Sequence, residues 1–339
     1  MRMTAIGSIV AALLGAAAFG QAPPMQEVQF HLNHTATVQQ FQEIANLVRI
    51  ITEIRDTSTD NTQMLLNVLG TPEQIGLAAW LVKNLDQPVG GAVFPVSEYR
   101  GLSDDTVVQI LYLPHTATVQ GFQEAANATR TVTEIRRMFT YNDGRAIAVR
   151  ATPDQVAMAQ WMIQQLDEAA AAQAPAQTLQ NSPEHSAGSN DVMRVFYLTN
   201  AKTTQDFQEI ANAIRTTTEV RRLFTVNATR AMTVRGTPDE MAMVEWLAGE
   251  LDKPAGSQPS QASGAYRVPG AADDVVRVFY LPAAQSVQDF QGIANAVRSG
   301  TQTRRLFTYN AQRALAIRGT ANQLALAENM IHDLAGSSK

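Results

Sequence analysis

Arginine is the side chain whose placement first asks for a chemical explanation. The chain carries 22 Arg against 4 Lys, and the planar guanidinium suits multi-donor contacts at interfaces, whereas solubility draws on Lys as readily. Five Arg positions return three times: 130, 136, 137, 145 and 150, then 215, 221, 222, 230 and 235, then 298, 304, 305, 313 and 318. They account for 15 of the 22, so they belong either to the design of a repeated unit or to an undiverged duplication. The other reactive types point away from catalysis. The five histidines, at 31, 34, 115, 185 and 332, do not recur in every unit, and there is no cysteine to act as nucleophile, metal ligand or disulfide partner. His34 and His115 are equivalent, both in "HTATVQ", but no HExxH or carboxylate cluster accompanies them, and there is no Gly-rich phosphate loop and no GxSxG. Acidic residues such as Asp154, Asp239 and Glu240 fall at helix starts, where capping explains them. The expectation is a protein that is no enzyme, with no catalytic, cofactor-binding or metal-binding residue.

The elements that hold these arginines come from an internal repeat. Four units align at 26–86, 107–167, 192–252 and 275–335, separated by segments 87–106, 168–191 and 253–274 that are rich in Ala, Pro, Gly, Ser and Gln and read as linkers. Linker length leaves both docked and loosely strung units open. In the third unit, "VMRVFYL" from Val192 is β-branched and aromatic with both faces largely apolar, which suits a central strand. Thr203 can cap a helix in which Phe207, Ile210, Ala211 and Ile214 make one apolar face. "RRLFTVN" and "RAMTVRGT" then read as a hairpin, and "TPDE" at Thr237 supplies an N-cap, a first-turn proline and a capping-box Glu for a second helix. The predicted fold is therefore α+β, a tandem array of four small βαββα domains, each a three-stranded sheet with two helices packed on one face. Two polar positions of the first helix, Gln208 and Asn212 in this unit, are the same in all four copies; a surface contact or a helix-to-loop hydrogen bond would explain them.

Alternation along the hairpin places Leu306 and Thr308 on one face and Arg305, Phe307 and Tyr309 on the other, with Arg318 on the same side as the second set. If the leucine face meets the helices, the far face is a mixture typical of protein interfaces; the opposite choice buries Phe307. The candidate interface is Arg137, Phe139 and Arg150, with Arg222, Phe224 and Arg235, and Arg305, Phe307, Tyr309 and Arg318. The first unit departs, reading "RDTSTDN" where the others carry "RRMFTYN", "RRLFTVN" and "RRLFTYN"; terminal repeats often cap an array.

Residues 1–20, with Arg2 before an apolar run and small residues at Ala18 to Gly20, read as a secretory signal peptide, and no later segment is long enough to span a membrane. The formal net charge of -5 sets no positive field for nucleic acid. Although βαββα is the core order of the KH fold, two strands separate the helices here and no GXXG lies between them.

The strand-helix opening together with "VRGTPDEMAMVEWLAGELD" from Val234, and its counterparts "VLGTPEQIGLAAWLVKNLD", "VRATPDQVAMAQWMIQQLD" and "IRGTANQLALAENMIHDLA", resembles the N-terminal repeat domains of bacterial secretins, of the NolW-like or ring-building type. That resemblance covers all four units. It implies a periplasmic role in which such domains associate into rings and contact envelope machinery, but the region that builds the secretin pore is not seen after the fourth unit. The expected function is a periplasmic scaffold or interaction protein with protein partners, possible self-association, and docking in a secretion-system or pilus-type complex. The alternative is an envelope carbohydrate or peptidoglycan binder using Trp80, Trp161 and Trp246.

Overall fold

The computed structural model describes residues 23–88, 98–172, 181–254, 256–258 and 262–337. The expected signal peptide, residues 1–20, lies outside them. Two compact units divide the chain, Met1–Tyr112 with Arg136–Pro153, and Leu113–Ile135 with Asp154–Lys339. The first holds β1 (Gln26–His31), α1 (Val38–Thr52), β2 (Asp56–Asp60), β3 (Leu65–Gly70), α2 (Pro72–Leu85), β4 (Glu98–Tyr99), β5 (Val107–Tyr112), β6 (Arg137–Tyr141) and β7 (Ala146–Ala151). The second holds α3 (Val119–Thr133), α4 (Pro153–Ala171, apart from its first residue), β8 (His185–Ser186), β9 (Val192–Tyr197), α5 (Thr204–Thr218), β10 (Arg222–Val226), β11 (Ala231–Gly236) and α6 (Pro238–Leu251). It continues with β12 (Tyr266–Arg267), β13 (Val275–Tyr280), α7 (Val287–Thr301), β14 (Arg305–Tyr309), β15 (Ala314–Gly319) and α8 (Ala321–Ser337).

The class is α+β, with four small antiparallel sheets in the orders β1-β3-β2, β4-β5-β7-β6, β8-β9-β11-β10 and β12-β13-β15-β14. The three-stranded expectation describes only the first. In the other three, a strand of two residues from a segment read as linker adds to the edge of β5, β9 or β13. Alternation cannot reveal a strand that short, because two residues do not establish a period. The addition makes β5, β9 and β13 interior strands, while among the described residues β1 is at an edge.

Local chemistry fixes the helix ends. Thr37, Thr118, Thr203 and Ser286 are N-caps whose hydroxyls accept from the amide three residues on, with a full capping box at three of them. Thr71 and Thr237 do the same for α2 and α6, each followed by proline at the first turn. Between caps, Phe41, Phe122, Phe207 and Phe290 are fully buried, each such side chain contributing about 1.5–3 kcal/mol by leaving water. In the first unit, Leu66 and Val68 of β3 share a core with Phe41, Ile44 and Val48 of α1 and Leu77 and Leu81 of α2. In the second, Leu306, Leu315 and Ile317 join Phe290 and Val297 of α7 and Leu324 and Ile331 of α8. The leucine face of the hairpin thus meets its own helices.

Candidate functional site: the junction between successive repeats

The opposite face of the hairpin in repeats two, three and four is taken by a helix of the preceding repeat. Tyr141, Ala146 and Ala148 lie in one core with α1, and Tyr309, Ala314 and Ala316 lie in one core with α5; Phe139 and Phe307 pack at the margins of these two cores. Helix α3 lies on β10 and β11 in the same way. Helices α1, α3 and α5 therefore bury residues beyond the stripe that their own sheets need, including Leu47, Ala128 and Ala213. The small side chain at two of these positions lets helix and sheet approach closely.

Polar contacts recur at each junction with the same geometry. The carboxylate of Glu43 accepts from the Asn142 backbone amide at 2.8 Å and from its Nδ2 at 2.7 Å. Glu124 holds Asn227 at 2.6 and 2.8 Å, and Glu209 holds Asn310 at 2.8 Å twice. At the far end of each helix, an arginine reaches an orphan carbonyl: Arg150 donates to Ile51 O at 3.1 Å, Arg235 to Val132 O at 3.2 Å and Arg318 to Thr217 O at 2.9 Å. The last four carbonyls of a helix have no internal partner, so a buried guanidinium both satisfies them and complements the negative end of the helix.

These three arginines are at most 9% exposed, and each has a carboxylate partner. Asp104 accepts from Arg150 at 3.0 Å, Asp191 from Arg235 at 3.2 Å and Asp274 from Arg318 at 2.7 Å. The neighbouring hairpin arginines bridge to the helix C-cap: Arg137 to Glu53 at 2.9 Å, Arg222 to Glu134 at 2.8 Å and Arg305 to Glu219 at 2.8 Å. Those three Glu sit in the left-handed region, with φ of 59°, 59° and 62°, where Gly or Asn is usual. The same C-cap geometry recurs at Gln302, with φ of 52°, so it belongs to the helix end, and in repeats one to three it sets the carboxylate toward the next repeat. Partial burial alone would raise the pKa of Asp104, but hydrogen bonds from the Thr106 side chain and backbone, with Arg150 and Arg137, outweigh it and hold the carboxyl at about 2.

Two more contacts complete the set. Tyr112, Tyr197 and Tyr280 donate through their hydroxyls to Asn84 O, Gln165 O and Glu250 O of the preceding helix, the first and last of these at that helix's C-terminal end. Burial pushes the Tyr197 and Tyr280 phenols up, with Glu168 and Glu250 adding to it respectively. Trp80, Trp161 and Trp246 meet Tyr99, His185 and Tyr266 of the short added strands at 5.6, 4.9 and 5.2 Å between ring centres.

The sequence-derived candidates are thus distributed over three like junctions within the chain. Arg137, Phe139 and Arg150 face α1; Arg222 and Arg235 reach the end of α3, with Phe224 on the same strand face; Arg305, Phe307, Tyr309 and Arg318 face α5. Sequence reasoning missed the acceptor side, Glu43, Glu53 and Asp104 with their equivalents. A signal for two of these lay in the repeat: Glu at the first position becomes Gly292 in the fourth unit, and the C-cap Glu becomes Gln302. At the other end, the first unit has Asp56 and Leu69 where the others have the paired arginines, and a polar row, Gln29 to Asn67 to Ser58, crosses its sheet. Neither end copies the inner junction.

The unexplained polar residues of the first helix are now placed. Gln208 donates to Thr225 Oγ1 and Asn227 Oδ1, and Gln291 to Thr308 and Asn310, tying helix to hairpin turn. Asn46, Asn212 and Asn295 accept from Arg49, Arg215 and Arg298. His34 and His115 each bond to an aspartate of the last helix region of their own repeat, Asp86 at the C-cap of α2 and Asp167 within α4. Among the described residues, no group of three or more His, Cys, Asp or Glu could hold a metal ion, and no helix is long and apolar enough to cross a membrane.

Comparison with solved structures finds a likeness to a bacterial protein. Aeromonas hydrophila ExeD aligns at 14% identity with a TM-score of 0.16, over 76% of this chain and 44% of its own. The chain therefore spans less than half the length of that structure. No protein-family model and no curated protein matches the chain.

Proposed function

We propose that the chain is a non-enzymatic scaffold of the periplasm, four modules with the boundaries read from the sequence, which binds protein partners in a secretion-system or pilus-type envelope complex. The observation that carries this reading is the junction. The side chains best suited to chemistry, the buried arginines and their carboxylates, are spent three times over in fixed contacts between repeats, as in arrays whose function is to present surfaces. Export is supported by the charged and apolar opening of the sequence, and the envelope setting by the resemblance of the repeats to secretin N-terminal domains. Protein rather than nucleic acid fits the negative net charge. The ten candidate interface residues act in this reading as the ties that hold the modules in order.

The test is site-specific photo-crosslinking in cells from Arg136, Arg221 and Arg304, which are exposed on three successive repeats. Discrete protein adducts in the envelope fraction are expected. No adduct from any site, together with retention of the chain on insoluble peptidoglycan, would replace the scaffold with a sugar binder. The half-buried packing of Trp80, Trp161 and Trp246 against neighbouring rings weighs against that second reading, since a stacking sugar needs a free face.

A further inference from the structure

Among the described residues, the open edge of β1 sets the first repeat apart. Strands β5, β9 and β13 have this edge covered by β4, β8 and β12. The bond from the Leu32 amide to Met64 O fixes the phase of β1, so residues 28, 30 and 32 turn their backbone groups toward β3, and Glu27, Gln29 and His31 turn theirs outward. In the third repeat the matching outward groups are all engaged: Met193 pairs with His185, Val195 exchanges bonds with Ser182, and the Tyr197 amide donates to Asn181. Among the described residues, nothing bonds the outward N–H and C=O of Glu27 or Gln29; the His31 carbonyl accepts from Asn33 Nδ2. Their side chains are exposed as well. An edge of this kind is a template for another strand.

We infer that the partner at this edge is a second copy of the chain, joined β1 to β1 in antiparallel register about a two-fold axis through Gln29. The pattern of β1 is self-complementary in that register. Gln29 faces its own copy, Glu27 faces His31 of the copy twice over, and Val28 faces Phe30, each of the last two already half-buried against the core. The outward backbone phase of Glu27, Gln29 and His31 is the one that such pairing requires, because the same residues would form the bonded pairs. A carboxylate facing an imidazole N–H across an antiparallel pair accepts a hydrogen bond from it, and a one-residue slip would lose both Glu–His pairs and the apolar match. The inference names a self-association surface for the scaffold, rests on that reading, and assumes removal of residues 1–20.

The experiment is light scattering and amide hydrogen exchange on the chain from Gln21 onward across a concentration range. Expected is a dimer whose Glu27, Gln29 and His31 amides become protected as concentration rises. His31→Glu sets Glu against Glu27 and should weaken the dimer about tenfold, two like-charge pairs being introduced at once. Adding Glu27→Lys to it should restore the dimer. Gln29→Pro removes an outward N–H at an edge position that tolerates proline and should leave a folded monomer. A chain that stays monomeric with these amides unprotected overturns the inference, as does protection that is the same at every concentration, which would mean cover from within the chain. A dimer indifferent to the Glu27 and His31 exchanges also overturns it. None of these outcomes bears on the envelope crosslinks, so the scaffold reading stands or falls separately.

Discussion

At the scale of single residues, the buried arginines matter more than the exposed ion pairs beside them. Arg305 and Glu219 are 36% and 54% exposed, and pairs so open to water contribute little. Arg318 is 9% exposed and serves a helix carbonyl and Asp274 together. Its removal strands both acceptors, so Arg318→Ala should cost about 3 kcal/mol in chemical denaturation, while Arg305→Ala should cost under about 1 kcal/mol. A second residue-scale expectation concerns Asp252, whose carboxyl is pushed up to about 6 by burial, against hydrogen bonds from Asn200, Thr199 and Ala201. A folded pKa above the unfolded value means that the native state binds the extra proton. Stability should therefore fall as pH rises from about 4 through about 6, and Asp252→Asn should flatten that part of the profile, as read from denaturation midpoints at a series of pH values.

At the scale of elements, the first helix of each of repeats one to three serves a double purpose. It closes the core of its own repeat with Phe and with Ile or Ala, and it offers Glu, a small or apolar residue, and its open carbonyls to the next. That explains why the stretch "FQEIAN" at Phe41, repeated at Phe207 and little changed at Phe122 and Phe290, varies so little: Phe belongs to one face, Glu to the other, and Gln ties the helix to its hairpin turn. The short added strands depend on a different device. Ser263 donates its amide to Val278 O and accepts from the Val278 amide through Oγ. Ser263→Ala leaves that buried amide unpaired and should cost about 1–3 kcal/mol. Hydrogen exchange at Val278 should quicken in this variant, while exchange in β14 stays unchanged.

At the scale of the whole molecule, the ends differ from the middle in the residues that make a junction. Gly292 and Gln302 remove the helix side from the fourth repeat, and Asp56 and Leu69 remove the sheet side from the first. End-to-end growth of chains is thereby disfavoured, which leaves edges and flanks for association. Restoring both sides in one chain, with Gly292→Glu, Gln302→Glu, Asp56→Arg and Leu69→Arg, should produce concentration-dependent chains longer than two copies in sedimentation, which the unaltered protein should not form. The sequence by itself determined the βαββα order, the caps and the core faces, because helix and strand periods and cap chemistry act within a few residues. It also singled out the hairpin arginines and the face they share. It could not say what they touch, since Arg150 and Ile51 lie 99 residues apart and no local rule links them. Nor could it resolve the two-residue strands, or show that linkers bring successive repeats into contact within each compact unit. Only tertiary structure decided those points, because the docked face of each sheet is completed by a helix from another repeat, and such a contact has no period to read.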